Sequence, residues 1–169
     1  MSSGGEKASD DFVQIARNHK AGRDYDILEA WEVGIQLTGP EIKSIRNRQA
    51  TLEDSFARIE GGEVFLYNMH VSPYKQAGYA ITEPARVRKL LLHREQIKRL
   101  EGRMTQKRLT LIPLRLYLKR GLAKLDLALC QGKKLYEKRE TLRAREVDRE
   151  TERTFKDFRR RGDRSHGGE

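Results

Sequence analysis

Catalysis is the first chemistry to look for, and the residues that could perform it are dispersed along the chain. His19, His70, His93 and His166 share no metal-ligand spacing, and no G-x-S-x-G, phosphate-binding Walker loop or H-E-x-x-H occurs. Asp24, Asp26 and Glu32 could together hold a divalent ion for phosphodiester cleavage. Without a convergent His or Lys they read instead as the acidic solvent face of a strand. Cys130 falls at an alternating apolar position and reads as buried filler. The expectation is a protein without enzymatic activity, metal or cofactor.

Binding chemistry is far better represented. Basic residues with interleaved aromatics fall in four patches: Arg17–Tyr25, Lys43–Arg48, Arg86–Lys89, and the run beginning Gly132-Lys133-Lys134. Lysine and arginine meet phosphates, and aromatic faces stack on bases, which is the composition of a single-stranded nucleic-acid surface. The whole chain supports it, with a formal charge of +10 over 169 residues and a pI near 9.9. Each cation placed on a phosphate releases a condensed counterion, so such an excess favours a polyanion. A solvated, salt-bridged surface is the plain alternative, because 36% of residues are charged and both signs are plentiful. No segment approaches the ~20 apolar residues of a spanning helix, and MSSGGEKASDDF has no secretory pattern. A single cysteine excludes an intramolecular disulfide framework and suits a reducing cytoplasm.

The elements that must carry these patches are mostly strands. Residues 1–15 are polar and Gly/Ser-rich and read as a flexible arm. From Tyr25 to Leu37 the odd positions are Tyr, Ile, Glu, Trp, Val, Ile and Leu, the period of a half-buried strand. Thr38-Gly39-Pro40-Glu41 combines a capping box with proline in the first turn. The helix it opens turns Ile42 and Ile45 inward and leaves Lys43, Arg46 and Arg48 outside. Gly61-Gly62 marks a hairpin between strands over 55–60 and 63–70, and 72–84 reads as loop. A short strand is expected within 86–93, then a helix over Arg94–Lys107 with Ile97, Leu100 and Met104 on one stripe. Two last strands, Leu109–Lys119 and Leu122–Cys130, meet at Arg120-Gly121. Trp31 and Tyr67 read as core. Five to seven short antiparallel strands with two to three peripheral helices close most readily as a small barrel of oligonucleotide-binding type.

After Gly132 the character changes. The remaining residues hold 13 Lys/Arg and 9 Asp/Glu, with few apolar residues. Pairs such as Glu140 with Arg143 and Glu146 with Arg149 support a solvated helix, at a few tenths of a kcal/mol each. The segment is expected to be disordered when free and helical from about Thr141 when bound along a phosphate surface. The organisation expected is a flexible arm over 1–15, an RNA-binding barrel over 16–131 and a basic tail over 132–169.

GPEIKSIR (39–46), EVFLYNMHVSPY (63–74), RVRKLLLHREQI (86–97) and ALCQGKKLYEKRETLR (128–143) resemble, in order, the bacterial small protein B (SmpB) family of SsrA-binding proteins. The resemblance runs over about residues 13–155. It implies a β-barrel that binds the tRNA-like part of transfer-messenger RNA (tmRNA, SsrA RNA) and brings it to ribosomes stalled on messages lacking a stop codon. It further implies a monomer, and indirect partnership with alanyl-tRNA synthetase and elongation factor Tu on the same RNA. The tail would enter the empty messenger channel and the small-subunit decoding centre, standing in for the codon–anticodon helix so that the nascent chain is tagged for degradation.

The resemblance places an Asn and a Glu of the family's RNA-binding face on Asn18 and Glu32. Lys43, Arg46, Arg88 and Lys89 would hold phosphates, and Lys20, Arg23 and Glu41 complete the RNA-binding face. The tail's working residues would be Gly132, Lys133, Lys134, Tyr136, Glu137, Lys138 and Arg139, followed by Arg143, Arg145, Arg149, Arg153 and Phe155. Glu137 stands where the family has Asp, and Tyr136 where some relatives have His. Two other classes share parts of this pattern: a structural ribosomal or ribosome-assembly protein, and a metal-dependent nuclease.

Overall fold

The computed structural model describes residues 12–78, 82–105 and 109–162. The chain divides into two compact units, residues 1–132 and 133–169.

The first unit is built on two long strands. β8 (Leu109–Lys119) and β9 (Leu122–Gly132) form a hairpin whose turn, Arg120-Gly121, has positive φ at both residues. β9 pairs along its other edge with β2 (Tyr25–Ile35), which follows a single helical turn, α1 (Ala21–Asp24). β4 (Phe56–Glu60) and β5 (Glu63–Tyr67) form the Gly61-Gly62 hairpin. β7 (Arg88–Leu91) joins β5 to β2, and β4 returns to β8, so the antiparallel sheet β8-β4-β5-β7-β2-β9 closes on itself. β1 (Phe12–Arg17) adds a strand outside this ring, on the edge of β8 beyond β4. The fold is therefore mainly β, a closed antiparallel barrel. Closure removes the open edges that would otherwise recruit other strands.

The alternating sequence explains the core. Val64 and Leu66 on β5, Leu111 and Leu116 on β8, and Leu125, Leu127 and Leu129 on β9 are fully buried. Each such side chain contributes about 1.5–3 kcal/mol on leaving water. α2 (Gly39–Arg46) buries Ile45, and Glu41 accepts the Thr38 N–H at 2.8 Å, the bond its capping position calls for. α3 (Arg94–Met104) packs beside β8 with Leu100 buried and Ile97 and Met104 against the core. The expected end of this helix, Lys107, lies outside the described residues.

Several local expectations are corrected. Residues 12–15 are not part of a flexible arm: β1 starts at Phe12, because β8 is longer than β4 can cover and its far end needs a partner. The rest of the expected arm lies outside the described residues. The strand expected to run to His70 stops at Tyr67, where Asn68 takes a φ of 59°. His70–Val71 then forms a separate strand, β6, with β3 (Ala50–Thr51). Tyr67 is not core either. It is half-buried, stacks on Phe56 and donates its hydroxyl to Glu60 at 2.7 Å.

The second unit is one helix, α4 (Leu135–Gly162). It begins earlier than Thr141, and local capping is the reason. Glu137 accepts the Lys134 N–H at 3.1 Å, compensating a donor left over at the helix start, and Thr141 Oγ1 returns to the Glu137 carbonyl at 2.8 Å.

Candidate nucleic-acid interface

The residues expected on the RNA face separate into two kinds. Three of them are structural. Arg88 is wholly buried, and all five of its N–H donors have partners. Nε bonds Glu41 Oε1 at 2.9 Å, Nη1 bonds the carbonyls of Met69 and Arg86, and Nη2 bonds the Pro84 carbonyl and lies 2.8 Å from Glu41 Oε1. The expectation that Arg88 holds a phosphate is corrected: alternation on β7 points it inward, and no donor is left to offer. Glu41 is equally committed, between Arg88, Arg86 and the Thr38 N–H. Burial pushes its carboxyl up, but the Arg86 bond, the Thr38 N–H and the Arg88 charge together hold it below the usual carboxylate value.

Asn18 is the third. Its amide donates to the Leu52 carbonyl at 3.3 Å and the Pro113 carbonyl at 3.2 Å, and its Oδ1 accepts the Ala21 N–H at 3.1 Å. Its own N–H meets the Leu114 carbonyl at 2.8 Å. These bonds fill the bulge between Pro113 and Arg115, where proline leaves β8 without a ladder donor. Asn18 thus positions the surface around it rather than offering free polar atoms to a ligand.

The others lie at the surface. Lys43 and Arg46 are exposed on α2, with Lys43 Nζ 5.3 Å from the centre of the Tyr74 ring. Lys89 is half-buried and pairs with Glu63. Lys20 bonds Asp54 at 3.1 Å and Arg23 bonds Asp24 at 3.2 Å. Such partly exposed pairs contribute about 0–1 kcal/mol and can be exchanged for phosphate at little cost.

Glu32 belongs to a surface that spans four strands. It is exposed on β2 and accepts the Tyr117 hydroxyl at 2.7 Å, with Lys119 Nζ 3.3 Å away. Tyr117 also faces Asp126 at 3.0 Å, and Arg115 bonds Asp126 at 2.7 Å. From β1, Phe12 packs on Tyr117 with ring centres 4.7 Å apart, and the Arg115 guanidinium lies over both rings. The Tyr117 bond holds the Glu32 carboxyl below its usual range against the opposing effect of desolvation, with Lys119 and Lys124 assisting. Burial, then the two carboxylates, push the Tyr117 hydroxyl well above the usual tyrosine range. Glu32 is therefore an ionised acceptor beside an exposed aromatic, Phe12, and three cations, Arg115, Lys119 and Lys124. That combination suits the N–H edge of an unpaired base next to its phosphates. Arg115, Tyr117 and Lys119 were missed by sequence reasoning, although their spacing along β8 places all three on one face.

In the second unit, Lys134, Glu137, Arg139, Arg143, Arg145, Arg149 and Arg153 are exposed on or just before α4, and Lys133 and Lys138 are half-buried. The side chains of Tyr136 and Phe155 lie outside the described ones. Among the described residues no group of three or more His, Cys, Asp and Glu could hold a metal ion, and no helix is long and apolar enough to cross a membrane. Burial, then the nearby Asp26, push the Cys130 thiol up to about 11, so it is protonated and unreactive at neutral pH.

The sequence profile described as SmpB protein matches residues 15–157, spanning the barrel and most of α4. The chain belongs to the SmpB family. It is 54% identical over 142 residues to an SsrA-binding protein of Syntrophobacter fumaroxidans, covering 84% of this chain and 88% of the relative. It is 50% identical over 151 residues to that of Caldanaerobacter subterraneus, covering 89% and 96%. An SsrA-binding protein of Geobacillus kaustophilus is 52% identical over 143 residues, covering 85% and 92%. Among solved structures, a chain from work described as "tmRNA-SmpB: a journey to the center of the bacterial ribosome" superposes with a TM-score of 0.62 at 45% identity. The match covers 75% of this chain and 93% of that one. SmpB membership reaches across both units, so the barrel and the charged helix belong to one shared design.

Proposed function

We propose that this chain is an SsrA-binding protein of trans-translation: a cytoplasmic RNA-binding protein, without catalysis, that binds tmRNA and accompanies it to stalled ribosomes. The single observation that carries this reading is the SmpB match over residues 15–157. The physical features agree with it. The barrel offers an ionised Glu32 beside Phe12 and a cationic rim, and a separate basic patch at Lys43 and Arg46. The tRNA-like half of tmRNA supplies what these groups need, a phosphate backbone with unpaired loop bases.

The tail, residues 132–169, acts on the ribosome. Lys133, Lys134, Lys138 and Arg139 meet phosphates at the decoding centre, and α4 lies along the messenger channel with Arg143, Arg145, Arg149 and Arg153 on ribosomal RNA. An intact message excludes α4 sterically, so an empty channel is sensed by fit rather than by sequence. The protein acts as a monomer, and its complex with tmRNA is the form in which alanyl-tRNA synthetase and elongation factor Tu meet that RNA. In a reconstituted translation of a message without a stop codon, adding the full chain with charged tmRNA should yield tagged product. Stalled, untagged peptide despite intact RNA binding would refute the ribosomal half of the proposal.

A further inference from the structure

β4 and β8 share one registered pair, Ala57 with Leu111, and both of these residues point into the core. No other pair of these two strands is in register among the described residues, and α1 packs beside β8 there. What remains is an open-sided cleft of about 390 Å³, inside the ~300–1,000 Å³ range of small-ligand sites. Its lining combines Tyr25, Phe56 and the buried Ile112 with Lys20 and the exposed Asp54 and Arg58.

Two features set this cleft apart from a packing fault. Arg58 is exposed, and its guanidinium lies 5.1 Å from the centre of the Phe56 ring and 5.7 Å from that of Tyr67, which are themselves stacked. It has no carboxylate within ion-pair distance among the described residues, so a cation held close to two rings is left to meet an outside group. Asp54 takes a φ of 60°, uncommon for a residue with a side chain, and its carboxylate pairs with Lys20 across the chain. Asp24 and Asp54 in the wall disfavour a phosphate inside the cleft but can accept from the N–H edge of a base. Lys20 and Arg58 can take the phosphate outside it.

We propose that this cleft is a nucleotide pocket, taking one unstacked base of the bound RNA against Tyr25 and Phe56 with its phosphate on Arg58 and Lys20. The inference rests on the RNA-binding reading above and adds a place where one nucleotide is read individually. Phe56, Arg58 and Tyr25 then serve RNA directly, and Asn18, which anchors α1 beside them, keeps the pocket's shape.

Ultraviolet cross-linking of the full chain to the tRNA-like half of tmRNA, with adducts located by mass spectrometry, tests this on the unaltered protein. Nucleotide adducts on Tyr25 or Phe56 are expected. Adducts confined to other residues, with the RNA demonstrably bound, would overturn the pocket while leaving the RNA-binding reading intact. No binding of that RNA at all would remove both. Phe56→Leu should weaken RNA affinity about tenfold through lost stacking. Arg58→Gln, a surface change that leaves the core untouched, should lower the slope of log affinity against log salt by about 0.7–0.9. An unchanged slope and affinity for Arg58→Gln would contradict the assignment even if Phe56→Leu proved unstable.

Discussion

Arg88 and Glu41 form an ion pair inside the barrel wall, with Arg88 Nε 2.9 Å from Glu41 Oε1 and neither side chain more than 3% exposed. The pair joins β7 to the start of α2, and the same carboxylate accepts the Thr38 N–H that opens the helix. Removing Arg88 would leave Arg86 as the remaining cation on Glu41 and would strip the Met69 and Pro84 carbonyls of their donor, at a cost of about 1–3 kcal/mol for each buried group left unpaired. Arg88→Ala should therefore lower barrel stability by that order in urea melts. RNA affinity per folded molecule should remain unchanged, whereas loss of affinity at full stability would return Arg88 to the RNA face.

The same pair predicts a pH dependence. The Glu41 carboxyl lies below its ordinary value of 4.5 in the folded protein, so the folded state holds its proton less tightly than the unfolded chain. Its contribution is fully present above that ordinary value and is lost as pH falls through the lower, folded one. Melting temperature should thus be flat from neutral pH to about pH 5 and drop below it. Glu41→Gln should be less stable at neutral pH and should show a shallower acid decline. An acid limb of unchanged steepness in Glu41→Gln would assign the transition to other carboxylates.

Lys43 and Glu32 should separate in salt titrations with the tRNA-like RNA. Lys43→Ala removes one exposed cation and should lower the salt slope by about 0.7–0.9. Glu32→Ala removes an acceptor rather than a cation, so it should weaken binding with the slope nearly unchanged. Equal slope changes in the two variants would contradict the division between phosphate and base contacts.

Asn18→Ala should behave differently from both. It removes the donor to Leu52 and Pro113 and the acceptor for the Ala21 N–H. Leaving buried backbone groups unpaired costs about 1–3 kcal/mol. Stability and RNA affinity should fall together, with the salt slope preserved. Weaker binding in a variant of undiminished stability would make Asn18 a direct contact.

The long strands, the capping box at Thr38 and the Gly61-Gly62 hairpin were legible because period and turn chemistry are local. Closure of the ring was legible only as a class. The pairing of β7 with β2 and β5 joins residues far apart in sequence, and nothing in RVRKLLLH states its partners. The burial of Arg88 was hidden for the same reason. A lone arginine in a basic stretch looks like a surface cation until Glu41, distant in the chain, is brought against it. β1 was missed because its residues lie next to a polar terminus, and β8, which stabilises it, comes a hundred residues later. Glu32, Lys43 and Arg46 were singled out from residue type and resemblance, and the structure leaves all three exposed. Arg58 was not singled out, because the two rings it lies against come together only in the folded hairpin.

The tail's helix, α4, rests on local bonds and charge spacing, with Leu135, Leu142 and Val147 exposed. Isolated helices of such composition are marginal. Amides beyond Thr141 should therefore exchange quickly in the free protein and become protected on the ribosome. Arg145→Pro should cost about 3 kcal/mol or more of helix stability and cripple tagging, with RNA affinity and barrel melting unchanged. Strong protection in the free chain would mean a helix already formed before it meets the channel.

As an SsrA-binding protein, the chain should select the tRNA-like fold of tmRNA over RNA in general, with the barrel making that choice. Competition gel shifts with the full chain at physiological salt test it most directly, using the tRNA-like half of tmRNA against ribosomal RNA fragments of equal length. The tRNA-like RNA should displace labelled probe at concentrations at least tenfold lower than the fragments, a preference of about 1.4 kcal/mol or more. Equal competition by both would contradict it and favour a structural ribosomal protein.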